Sequence, residues 1–332
     1  SEVLADDLNE FFECALNQDD NQRFDAQGAA EHLTDLIAAH FAIPVEPTPP
    51  RPAPDAHIPE SLLDDRFRVV RLLGRGMTGP TYLVKDEVTG DQYAAKCLTD
   101  PMAIKRWAVR EFSILKNLDH PNVPRVHWVF EPTKSVHLVR AYVPGKTLHE
   151  KEPEFPLPVD RCIDVADQLL DALDCLEKHY VAHRDLSPRN IVLDDFGRPH
   201  IIDFGLAKLR DEIAQSVVGT PLYRPPEVDS RGEWNATCDT YAIGVILFKM
   251  LTGEFPFLVE ANRTDKTSLR SVSQATCPDA ILWAVLKAVA PEARERYASA
   301  NEFREMLRQA RAIPAVPAAP VREPVVEPQP VG

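Results

Sequence analysis

The chain has 332 residues, 44% of them apolar, which is enough to build the cores of one large bilobal domain or of two smaller ones. Its formal net charge of −14 argues against nucleic acid as the main partner, because that binding rests on a basic surface. The acidity is uneven: residues 1–60 carry 13 acids and 2 bases, a net of −11, so the remaining 272 residues net only −3.

The N-terminal appendage comes first. "VLADDLNEFFECAL" sets Leu4, Leu8, Phe11, Phe12 and Ala15 near helical spacing, and "EHLTDLIAAHF" does the same with Leu33, Leu36, Ile37 and Phe41. Two short amphipathic helices over residues 1–43 do not bury their apolar faces alone, so they are expected to dock on the central block, on a partner, or on a second copy. A partly disordered acidic tail is the alternative that composition supports. Seven prolines from Pro44 to Pro59 and six from Pro314 to Pro330 mark an extended linker at 44–60 and a tail at 313–332. They isolate a central block, residues 61–312. The chain opens on Ser1, which suggests a piece of something longer.

Six cysteines, Cys14, Cys97, Cys162, Cys175, Cys238 and Cys277, show no C-x-x-C pair and no metal-ligand spacing, so reduced and mostly buried thiols are expected. No apolar run approaches the ~18 residues a membrane helix needs, and "YAIGVILF" from Tyr241 reads as a buried helix. These features together give a cytoplasmic assignment.

In the central block the first third reads as strands: "RFRVVRLLGRG", "TYLVKD" and, after the turn Thr89-Gly90-Asp91, "DQYAAKCLT". "RWAVREFSILKNL" has helical periodicity through Trp107, Phe112, Ile114, Leu115 and Leu118, and "SVHLVRAYV" is again a strand. Beyond residue 158 helices dominate, in "VDRCIDVADQLLDALDCLEKHY", "TYAIGVILFKMLTG" and "AILWAVLKAVA". A strand-rich lobe followed by a helical lobe is an α+β arrangement with a cleft where the two meet.

Chemistry-bearing residues fall around that cleft. Gly74, Gly76 and Gly79 in "GRGMTG" sit between two strands, where glycines let backbone amides approach a polyphosphate; glycine-rich strand turns are also common without any ligand. Lys96 ends the "YAAK" strand within reach of α- and β-phosphates, and Glu111 on the next helix is placed to hold it by an ion pair. Asp185 and Asn190 in "HRDLSPRN" read as a hydroxyl-proton acceptor and a magnesium ligand, and Asp203 in "IIDFG" as a second magnesium ligand. Each has a bland alternative: a strand-edge charge for Lys96, a solvated helix face for Glu111, a turn residue for Asp203. Their joint order on these elements favours phosphoryl transfer.

On these motifs the chain resembles the eukaryotic-like (Hanks-type) protein kinases over about residues 65–310. The tokens are G-x-G-x-x-G at 74–79, A-x-K at 94–96, Glu111, "HRDLSPRN", "DFG" at 203–205 and "GTPLYRPPE" at 219–227. Asp239 and Arg296, with Arg294 as the other candidate, complete the set. The resemblance implies a bilobal kinase fold, ATP and Mg2+ as cofactors, and protein substrates. By analogy Leu73, Ala94 and Val192 enclose the adenine, the hinge at Ala141–Val143 hydrogen-bonds it, and Thr81 joins the nucleotide-binding group. Glu227 pairs with the late arginine, and Asp239 braces the catalytic loop. "GTPLYRPPE" looks like the serine/threonine version of the substrate loop, with Thr220 placed to contact Asp185. The short loops, "ERYASANEF" and the proline-rich flanks resemble bacterial members.

Three departures stand out. Ser187 occupies the place where most serine/threonine kinases have a lysine; Arg189 is read as the substitute cation, with forked geometry that does not copy the lysine. Arg140 falls at the usually apolar back of the nucleotide pocket, where it must find an acid or water. Thr78 replaces an aromatic at the glycine-loop tip. Arg184, next to Asp185, suggests a loop ordered by phosphate. Ser216, the only hydroxyl side chain between Gly205 and Gly219, is the candidate phosphate acceptor; Asp211 or Glu212 as constitutive charges, or an unregulated loop, are the alternatives. An active serine/threonine protein kinase that also phosphorylates itself is the leading reading. A pseudokinase scaffold is the alternative, and a small-molecule phosphotransferase the third.

Overall fold

The computed structural model describes residues 61–313 except 77–78, 99–111, 113–114, 117, 131–135, 205–207, 210–219, 233 and 258–276. The predicted N-terminal helices, the proline-rich linker at 44–60, nearly all of the tail at 313–332 and most of the helix expected at 106–118 lie outside the described residues. So do Thr78, Glu111 and Ser216.

Six antiparallel strands form the first sheet: β1 (Leu62–Leu63), β2 (Phe67–Gly76), β3 (Gly79–Asp86), β4 (Gln92–Leu98), β5 (Val126–Phe130) and β6 (Val136–Ala141), in the order β1-β2-β3-β4-β6-β5. Alternation builds it. Phe67 and Val69 turn inward from β2, and Tyr82 and Val84 from β3. They meet Leu63, Ala95, Cys97 and Val139 in one small core. Arg66 closes the edge: its guanidinium donates two hydrogen bonds to the buried Asp86 carboxylate, at 3.0 and 2.6 Å, and lies 4.6 Å from the Trp128 ring. Expected strands at 66–76, 81–86, 91–99 and 135–143 appear within a few residues of those bounds; β5 had no sequence counterpart.

The second lobe follows with β7 (Gly145–Thr147), α1 (Leu148–Lys151), α2 (Val159–Lys178), β8 (Val181–Ala182), β9 (Ile191–Asp194), β10 (Pro199–Ile201) and β11 (Lys208–Leu209). The chain then runs through α3 (Pro226–Arg231), α4 (Ala236–Thr252), α5 (Asp279–Ala288) and α6 (Ala300–Ala312). β10, β9 and β7 make a small antiparallel sheet on the cleft side, and β11 pairs with β8. The larger core gathers around α2, whose buried residues Ile163, Ala166, Leu169, Leu170, Leu173 and Leu176 keep the helical spacing read from sequence. α4 is apolar almost all round and therefore lies inside, with Gly244 against α5: a Cβ there would come within 2.9 Å of the Ala288 and Val289 side chains. The larger core also takes in Val126 from β5 and Leu138 from β6, while the smaller stays within the first sheet, and the two lobes form one compact unit.

The five described cysteines are free thiols, and burial pushes Cys162 up to about 12 and Cys277 up to about 11. Among the described residues no helix is long and apolar enough to cross a membrane.

Candidate active site

A cleft of about 560 Å³ lies between the lobes. Its roof comes from β2, β3 and β4 through Leu73, Gly74, Thr81 and Ala94. Its rear edge is the Ala141–Val143 segment, and its floor includes Val192 on β9. At the far end stand Asp185, Ser187, Arg189, Asn190, Asp203 and Thr220. Residues up to 149 positions apart in sequence, Arg71 to Thr220, thus share one cavity.

The apolar roof and floor follow from strand alternation: Ala94 is directly opposite Arg140 across β4 and β6, and Thr81 opposite Lys96 across β3 and β4. Gly74 and Gly76 carry the roof strand to the hairpin end. Gly79 faces the other way. At φ +135° a Cβ would fall 2.0 Å from the Cys97 carbonyl oxygen, so this glycine is required by the close approach of β3 to β4. Gly79 does not line the cleft among the described residues.

Lys96 is buried at the inner end of β4, and its Nζ lies 2.5 Å from Asp203 Oδ1. Its expected partner Glu111 is outside the described residues. Asp203 holds a left-handed backbone (φ +63°), a conformation strained for a non-glycine residue. Phe204 beside it is buried, with its ring 4.7 Å from the His183 ring. That packing anchors the aspartate to the loop that carries Asp185.

Asp185 is held from two sides. Its Oδ1 accepts from the Thr220 backbone N–H at 2.9 Å and from the Thr220 hydroxyl at 2.8 Å. Asn190 Nδ2 donates to its Oδ2 at 3.0 Å and to its carbonyl at 2.8 Å. The Asn190 carbonyl in turn receives the Ile202 N–H, so the Asp185 and Asp203 segments are tied by backbone as well. Below them, Asp239 on α4 accepts the N–H groups of His183 and Arg184 at 2.7 and 2.9 Å. A buried carboxylate bridging two consecutive amides fixes the loop against the helical core.

The departures resolve as follows. Ser187 is buried with its hydroxyl unpartnered, while Arg189, on a short 3₁₀ segment Pro188–Asn190, is exposed; both line the cleft. Arg140 lies buried on β6 one residue before the Ala141–Val143 segment, lines the cleft and is engaged rather than free. Arg184 is 2% exposed, at φ +70°, with its guanidinium 5.1 Å from the Trp234 ring. Farther out, Glu227 receives a two-pronged pair from Arg296 at 2.7 and 2.8 Å. That selects Arg296 over Arg294.

Two contacts had no sequence signal. Trp234 against Arg184 is one. The other is Arg71 on the roof strand, which donates to the Tyr142 hydroxyl at 3.3 Å and bridges the roof to the cleft's rear edge. Both join positions with no common spacing, and only the folded chain brings them together.

The oxygen donors Asn190 and Asp203 beside Lys96 fit a magnesium ion, which takes one or two protein ligands and otherwise water and phosphate oxygens. The cleft therefore holds a fixed carboxylate, a buried ammonium group, a hard-cation pair and an apolar slot in one line.

Comparison with known proteins agrees. The family description "Protein kinase domain" matches residues 67–309. The protein named "Probable serine/threonine-protein kinase PknB" of Lactococcus lactis subsp. lactis is 33% identical over 259 residues, covering 72% of this chain and 41% of the relative. Serine/threonine-protein kinase PrkC of Bacillus subtilis is 28% identical over 268 residues, 75% and 41% respectively. cAMP-dependent protein kinase type 3 of Saccharomyces cerevisiae is 33% identical over 198 residues, 58% and 49%. The chain spans about two-fifths of the length of the two bacterial relatives. With the match running across both lobes and the whole cleft, this chain belongs to the protein kinase domain family.

Proposed function

We propose that the chain is an ATP-dependent serine/threonine protein kinase. The observation that carries this reading is the double hydrogen bond from Thr220 to Asp185. It joins the base to the "GTPLYRPPE" segment and leaves a carboxylate oriented toward an incoming hydroxyl. Asp185 accepts the proton of a serine or threonine hydroxyl as its oxygen bonds to the γ-phosphorus and the bond to the β-phosphate oxygen breaks, releasing ADP. Lys96 and Arg189 supply positive charge to the phosphates, and Asn190 and Asp203 hold magnesium, which when bound neutralises phosphate charge. Leu73, Ala94 and Val192 exclude water from the adenine, and Ala141–Val143 offers it backbone partners. Such catalysis is mainly positioning and electrostatics.

The test is self-phosphorylation and phosphorylation of casein with Mg-ATP, with acceptor sites mapped by mass spectrometry. Phosphoserine or phosphothreonine that falls ~10²-fold or more in Asp185→Ala is expected. Phosphotyrosine, or no nucleotide binding and no transfer, would sink the reading.

Protein substrates follow from the same reading. The free thiols support a reducing compartment, and we place the protein in the cytoplasm on that ground. Residues 1–43 are proposed as a segment for partner binding or self-association, supported by their amphipathic pattern and acidity; a deletion that leaves activity, mass in solution and binding unchanged would remove that proposal.

A further inference from the structure

Arg184 is among the largest fully buried side chains of the protein. A guanidinium so placed is costly unless its surroundings hold it. A left-handed non-glycine residue likewise persists only where its neighbours over-determine it. Asp239 fixes the Arg184 backbone through the amide at 2.9 Å. The side chain meets the Trp234 ring, 5.1 Å away, in the stretch between α3 and α4. Trp234 is itself held in place, because the next residue, Asn235, caps α4: its side-chain oxygen accepts the Thr237 N–H at 2.8 Å. Arg184, Trp234, Thr220, Tyr223 and Asp239 close around one small crevice under Asp185.

We propose that Trp234 is a positioning residue for phosphoryl transfer: its ring holds the Arg184 guanidinium by a cation–π contact, and through it aligns the Asp185 carboxylate. Cation–π attraction strengthens as water is excluded, and this site is buried. The proposal rests on the kinase reading above. It also means that the neighbour of the base is held by an aromatic face that is always present. Alignment then does not wait for a phosphate on Ser216.

The test is steady-state kinetics on casein, varying ATP, for the parent, Trp234→Phe, Trp234→Leu and Ser216→Ala, with thermal midpoints measured alongside. A displacement of the base costs rate rather than affinity, so Trp234→Leu should lower kcat ~10-fold or more at a KM for ATP within about twofold. Trp234→Phe, which keeps a π face, should stay within about threefold of the parent, and Ser216→Ala within about twofold. Equal kcat for Leu and Phe would reduce Trp234 to packing and overturn the proposal. So would a change confined to KM, or a Ser216→Ala variant that loses activity while Trp234→Leu keeps it. Should Trp234→Leu fail to fold, Trp234→Met takes its place with the same criteria. A parent that transfers no phosphate defeats the kinase reading itself, an outcome distinct from any of these.

Discussion

Arg189 and Ser187 stand two residues apart on the same cleft wall, and only the arginine carries charge. A buried serine hydroxyl without a partner leaves the place of a longer side chain unfilled, whereas the exposed guanidinium reaches into the same cavity. If Arg189 supplies the phosphate charge, Arg189→Ala lowers kcat ~10²-fold or more, as loss of a transition-state electrostatic contact does. Adding Ser187→Lys to that variant restores part of the rate, because the cation returns two positions earlier. Steady-state kinetics of the single and double variants checks both statements; an Arg189→Ala protein with the parent's kcat would refute the role. The identities of Lys96, Asp185, Asn190 and Asp203 were legible in sequence because each lies in a short motif with its own local spacing. The Lys96–Asp203 contact was not, since 107 positions separate the two and the sequence pointed Lys96 toward Glu111.

At the scale of elements, the helical lobe is fastened by charges between α2 and α6. Arg304 and Arg308 both donate to Asp167, with Nε distances of 3.0 and 2.7 Å, Arg304 also reaches Asp171, and Arg311 pairs with Asp160 and Asp164. Burial alone would push Asp167 up, but hydrogen bonds and charge from Arg304 and Arg308 outweigh it and hold the carboxyl below the usual aspartate range. A carboxyl lowered in the folded state adds stability above its unfolded pKa, about 4, and loses that contribution as pH falls through the folded value. Asp167→Asn therefore lowers the thermal midpoint near neutral pH, and the gap from the parent narrows below about pH 4. A gap that stays constant from pH 7 to pH 3 would show that the pair contributes nothing through charge. Strands β2, β3, β4 and β6 were legible because apolar positions alternate over whole segments, α2 because its apolar positions recur at helical spacing, and α4 and α5 because their apolar runs are too long for a strand. β5 was missed: its five residues become a strand by pairing with β6, and that partner is chosen in three dimensions.

At the scale of the whole molecule, Glu227 and Arg296 join the end of the "GTPLYRPPE" segment to the stretch just before α6. The Arg296 side chain is fully buried, donates to the Ala290 and Pro291 carbonyls, and lies 4.7 Å from the Tyr241 ring. Removing one member of such a pair leaves a buried charge uncompensated, so Arg296→Ala should destabilise the chain by about 3–5 kcal/mol. Denaturant unfolding measures this, and a loss below about 1 kcal/mol would mean that water or another cation takes the place of Arg296. By itself the sequence determined the class of fold, the order of the lobes, and the identity of the residues proposed to handle phosphate. Those properties are written in local periodicity and in short motifs, where each residue needs only its near neighbours. Tertiary structure alone decided that Lys96 meets Asp203, that Arg71 reaches Tyr142 and that Trp234 covers Arg184, whereas Thr220 beside Asp185 and Arg140 at the cleft were already expected from the resemblance. The three unread contacts join positions 107, 71 and 50 residues apart, and no spacing along the chain encodes them.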